Sequence, residues 1–188
     1  MDSLYHLSTA NETEVWQQIN QALAETPFTY NAVIQQEQTT TILTIDVDPG
    51  SGFAGGYSFT NFSAQLPANT AFRFALHHQG FLDEIGKFFG MQDVVIGYPD
   101  FDEKVIVKTN DETKVKALFA NEALRTPWVN QTNFHLHITG SSEAEAGQLL
   151  KLEIEEGVTN AEALKPLYES FYKLLIALGA NEENASNL

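Results

Sequence analysis

Residues 40–66 read TTILTIDVDPGSGFAGGYSFTNFSAQL, and the fold turns on whether the glycines at the centre open a helix or join two strands. Gly50, Gly52 and Gly55 have the G-x-G-x-x-G spacing of a dinucleotide-binding turn, and Asp46 and Asp48 form the D-x-D pair of aspartate-dependent phosphatases. A dinucleotide turn needs a helix after its glycines, because the helix N-terminus holds the pyrophosphate. The continuation GYSFTNFSAQL is rich in aromatic and β-branched residues and has no helical stripe, and no acidic residue follows about twenty positions on to bind a ribose. A phosphatase needs a small flexible residue where Pro49 stands, a parallel sheet and a lysine near the phosphate, yet the first basic residue is Arg73. The stretch therefore reads as two antiparallel strands joined by a glycine-rich connection, with both aspartates on the solvated face.

Outward from this hairpin, strands come in consecutive groups. Strands are expected over about 29–36, 40–48, 56–66 and 70–78, with a bulge near Thr60–Asn61 where the apolar parity shifts. Thr9 and Glu12 form a capping box before a helix whose apolar face is Val15, Trp16, Ile19, Ala22 and Leu23. A short helix over 81–89, a strand DVVIG, a turn YPDFDE with its own Asp100/Asp102 pair, and a strand KVIVKTN follow. Asn110 is then expected to cap the helix DETKVKALF. A short helical piece at Ala123 and Leu124 precedes Pro127. The strand NFHLHIT is expected to pair with QLLKLEIEE, where Lys151, Glu153 and Glu155 alternate with apolar residues. Thr159 and Glu162 cap a last helix, whose regular part starts at Pro166 and ends at Gly179. This order predicts one α+β domain over residues 1–179, with a mainly antiparallel, curved sheet and helices packed on one face or at its ends. Residues 180–188 read as a polar tail.

Composition removes several function classes. The chain has 188 residues, enough for one well-buried core, and 13 Phe. It has no Cys, so disulfides, thiolate metal sites, Fe–S clusters and cysteine nucleophiles are excluded. The net charge is −15, and residues 1–72 carry seven acids and no Lys or Arg. Such a surface repels nucleic acid and anionic membranes, so neither is expected as a partner. With no signal peptide and no apolar run long enough to span a bilayer, the expected location is cytoplasmic.

The segment GFLDEIGKFFGMQDVVIGYPDFDEKVIVKTNDETKVKALF, about forty residues from Gly80 to Phe119, resembles a pattern in uncharacterised bacterial proteins, a family known as a domain of unknown function. Phe101, Val105, Val107, Asn110 and Asp111 carry the likeness, with Val105 replacing an aromatic residue. The resemblance implies a bacterial origin and no catalytic residue.

Two functional readings follow from the residues. The first is a non-enzymatic binding module, without a cofactor, for a partner protein or a small apolar ligand held by Phe53, Tyr57, Phe59 and Arg73. The second is a metal-dependent hydrolase. His135 and His137 form an H-x-H pair on one strand face, and His77 lies on the polar face of another strand. If those strands are neighbours, three imidazoles converge, with Asp46 or Asp48 as a fourth ligand.

Overall fold

The computed structural model describes residues 4–8, 12–25, 28–51, 55–66, 71–79, 90–139 and 148–183. Alternation at a period of two makes the strands, and their pairing order makes one sheet. The strands are β1 (Leu4–Ser8), β2 (Thr29–Gln36), β3 (Thr39–Asp48), β4 (Tyr57–Gln65), β5 (Phe74–His78), β6 (Gln92–Val94), β7 (Val105–Thr109), β8 (Phe134–Ile138) and β9 (Leu149–Ile154). They lie side by side in the order β1-β2-β3-β4-β9-β8-β5-β7-β6. All pairs are antiparallel except β1 with β2. The helices are α1 (Glu12–Glu25), α2 (Pro99–Asp102), α3 (Glu112–Phe119), α4 (Glu122–Val129) and α5 (Ala161–Glu183). This is an α+β fold with a mostly antiparallel sheet, as the grouping of strands requires.

One face of the sheet carries the core. Phe62 of β4 packs on Tyr168 and Phe171 of α5, Phe74 of β5 on Phe119 of α3, and Phe134 of β8 on Trp128 of α4. Trp16 of α1 meets Tyr168 edge-on, which joins the first helix to the last. The apolar face expected on α1 is the one that is buried. The opposite face of the sheet holds the alternate residues, among them Ile42, Thr44, Asn61, Ser63, Lys151, Glu153, His135, His137 and His77.

Several local expectations are corrected. β4 contains no bulge, since its pairing with β3 is uninterrupted from Tyr57 opposite Asp48 to Ala64 opposite Thr41. The parity shift arises because Thr60 takes a core position. Its hydroxyl donates to the Glu156 carbonyl and accepts from the Val158 amide, so a buried polar group is satisfied there. β5 is shorter than expected and begins at Phe74, and β1 is an added strand that the alternation in LYHLS is too brief to announce. Asp111, not Asn110, caps α3 through the Lys114 amide, while Asn110 bridges to Arg73 and Ala71. α4 continues past Pro127, its last turn tied by the buried Trp128 indole donating to the Leu124 carbonyl. α5 starts ahead of Pro166, with Asn160 as its cap, and runs on past Gly179. The helix expected over 81–89 and the Thr9 cap lie outside the described residues.

The glycine-rich connection leaves β3 through a tight turn. Asp48 accepts from the Gly50 amide at 2.8 Å, and Gly50 has φ +74°, a left-handed turn closed by an aspartate on its own backbone. A Cβ at Gly56 would run into the Asp48 carbonyl, so the returning chain passes the strand end at backbone contact.

Adjacent residues of β3 test this two-faced sheet. Leu43 is fully buried and Ile42 is 48% exposed. Leu43→Ala is expected to cost about 2–5 kcal/mol in urea unfolding, whereas Ile42→Ala should stay within about 1 kcal/mol of wild type. Equal losses would contradict the assigned faces.

Candidate metal centre

Three neighbouring strands build a polar cluster in the middle of the sheet. β9 lies between β4 and β8, and β8 lies between β9 and β5. Antiparallel pairing sets Glu153 directly opposite His135 on one side and His77 directly opposite His135 on the other. His137, two residues along β8, shares the face of His135 because side chains alternate.

The cluster is tight. The rings of His135 and His137 stack with centroids 4.1 Å apart and planes tilted by 14°. Glu153 reaches both from β9, its Oε2 lying 3.6 Å from His135 Nδ1 and 3.9 Å from His137 Nδ1. One ligand-type atom from each of these three residues falls within 4.8 Å of the other two. His135 is 3% exposed, and His77 is also buried. The His77 Nδ1 lies 3.2 Å from the His78 carbonyl.

Charge and burial act on this group in definable ways. Glu153 is held below the usual carboxylate range, first by the His135 imidazole beside it, with His137 and Lys151 adding to the effect and desolvation opposing it. His77 is held below the usual histidine range chiefly by burial; the His78 carbonyl works in the opposite direction, and His135 and Lys108 add to the depression.

The residues named from sequence are distributed as follows. His77, His135 and His137 lie on adjacent strands of one face, the adjacency that the sequence left open. The carboxylate beside them is Glu153, not Asp46 or Asp48. Asp46 lies on β3, three strands from β8 and about 14 Å away by strand spacing. It accepts from Thr29 Oγ1 and the Tyr57 hydroxyl, and Asp48 closes its own turn. Phe53 lies outside the described residues. Tyr57 and Phe59 stack on each other at 6.2 Å on β4. Arg73, which precedes β5, is aligned through the strand register with Gln65, so it sits about 25 Å along the sheet from Tyr57. That separation sets Arg73 apart from Tyr57 and Phe59. Elsewhere, a cleft of about 460 Å³ lies between α4 and α5, edged by Thr126, Asn130, Gln131, Glu169 and Lys173, and it contains none of the sequence-named residues. Asp102 of the second D-x-D pair is structural. Its carboxylate accepts from the amides of Ile96, Gly97 and Tyr98.

No protein-family model matches the chain, and no curated protein is significantly similar to it in sequence. Among solved structures, the chain is similar to the crystal structure of the mycobacterial trehalose monomycolate transport factor A, TtfA. The TM-score is 0.46 at 7% identity, over 87% of this chain and 94% of that one. A likeness at that level carries no functional inference. Among the described residues, no helix is long and apolar enough to cross a membrane.

The depressed His77 gives a pH prediction with a definite sign. A folded pKa below the unfolded value means that the folded state binds fewer protons. The stabilisation is therefore complete above about pH 6.5 and lost as the pH falls toward the folded pKa. The melting temperature of the metal-free protein should fall between pH 7.5 and 5, and His77→Gln should reduce that fall. Superimposable pH profiles for the two proteins would contradict the assignment.

Proposed function

We propose that this protein is a non-enzymatic binding module whose bound species is a divalent transition-metal ion, held by His135, His137 and Glu153. One observation carries the reading: two imidazoles and a carboxylate from paired strands present their ligand atoms within 4.8 Å of one another. In a tetrahedral zinc site with metal–ligand bonds of about 2.0–2.1 Å, neighbouring ligand atoms stand about 3.3 Å apart. The two carboxylate-to-imidazole separations, 3.6 and 3.9 Å, need to close by only a few tenths of an ångström. Imidazole suits zinc, copper, iron and nickel, while calcium and magnesium sites are built from oxygen ligands, so the donor set favours the first group. The β-strands fix the backbone positions of the three residues in advance, which lowers the ordering cost of binding, and the stacked His135 and His137 rings turn so that both in-plane lone pairs meet the ion.

The hydrolase reading keeps one specific support. Three protein ligands leave a coordination position for water, the arrangement that metal-dependent hydrolysis requires. A metal-binding role precedes it logically and is tested first.

Protein stripped with a chelator and equilibrated with zinc or cobalt(II) should take up about one ion per chain, with a rise in melting temperature as the ion binds the folded state. His135→Ala combined with His137→Ala should abolish that uptake, and Glu153→Gln should weaken it at least about tenfold. Unchanged metal content in the double variant would remove the reading.

A further inference from the structure

His77 stands next to the three ligand residues without being one of them, and its place can be argued from ring geometry. His135 turns its Nδ1 edge toward β9, where Glu153 lies 3.6 Å away. In an imidazole, the Nε2 and Cδ2 edge faces the other way, and here Nε2 is buried. The strand on that other side is β5, and the β5 residue directly opposite His135 is His77. The tautomer of His77 is set by its own neighbour. A backbone carbonyl only accepts, so the contact between His77 Nδ1 and the His78 oxygen at 3.2 Å places the proton of the neutral ring on Nδ1. The Nε2 of His77 therefore carries a lone pair, the complement of a ligand histidine that binds metal through Nδ1 and keeps its proton on Nε2. Ligand histidines ordinarily donate that second N–H to a fixed acceptor, which sets the tautomer and the ring orientation.

We propose that His77 is the positioning residue of this centre. Its Nε2 accepts from His135 Nε2–H when the metal is bound through His135 Nδ1, in a chain running from the His78 carbonyl through His77 and His135 to the ion. The inference rests on the metal-binding reading above and adds a residue that orients a ligand without coordinating the metal.

Cobalt(II) titration followed by visible absorption tests it, using wild type, His77→Ala and His77→Gln, with far-UV circular dichroism to check folding. The expected result is that His77→Ala weakens cobalt affinity about 10- to 100-fold while the shape and intensity of the saturated d–d spectrum are retained. His77→Gln, whose amide oxygen supplies an acceptor, should recover most of the affinity. Unchanged affinity in His77→Ala, or equal losses in the Ala and Gln variants, would overturn the positioning role. A changed d–d spectrum at saturation would also overturn it, because His77 would then be a ligand. Wild-type protein that binds no cobalt would sink the metal-binding reading itself, an outcome distinct from the others.

Discussion

The insertion of β9 between β4 and β8 is the pairing on which the rest of the structure depends. It joins the N-terminal strands β1 to β4 to the later group β8, β5, β7 and β6 in one sheet. Its register is set by burial. Leu150, Leu152 and Ile154 align with Ala64, Phe62 and Thr60 on one side and with Ile138, Leu136 and Phe134 on the other. A slip of one residue would turn all three apolar side chains to the outer face, at about 1.5–3 kcal/mol each, and drive Lys151 and Glu153 into the core. The hydrophobic register therefore fixes the position of Glu153 opposite His135, and the polar cluster follows from the packing on the other side of the sheet.

The same coupling explains why the cluster sits where it does. A strand presents one row of side chains to each face, so a core row of Leu152, Leu136 and Leu76 implies outer rows that carry whatever lies between. Those intervening residues are Glu153, His135, His137 and His77. Their backbones are held by strands whose inner faces are filled by Phe62, Phe74 and Phe134, each packed against a helix. The site is thus built on some of the best-packed strands of the molecule and not on its loops. Such placement gives the donor residues fixed backbone positions.

Much of this was legible in the sequence, and the reason differs from element to element. The antiparallel reading of residues 40–66 is met because the glycine-rich stretch is followed by another strand, and β3 and β4 pair without interruption from Thr41 opposite Ala64 to Asp48 opposite Tyr57. The H-x-H pair was legible because a period of two puts His135 and His137 on one face whatever lies beside them. Glu153 was visible only as a polar residue alternating with leucines. The expected pairing of NFHLHIT with QLLKLEIEE is present, but its register depends on Phe134 and Ile154 sharing a row, which alternation alone does not specify. Asp46 and Asp48 drew attention as a D-x-D pair behind an apolar strand, yet two whole strands separate β3 from β8. Thr60 misled for another reason: a hydroxyl with two backbone partners fills a core position that apolar parity would assign to a hydrocarbon.

Zinc-soaked crystals measured at the zinc absorption edge test the central claim most directly. The account predicts an anomalous difference peak about 2 Å from a nitrogen of His135, a nitrogen of His137 and an oxygen of Glu153. A peak only at other carboxylates, or none beside β8 and β9, would contradict it.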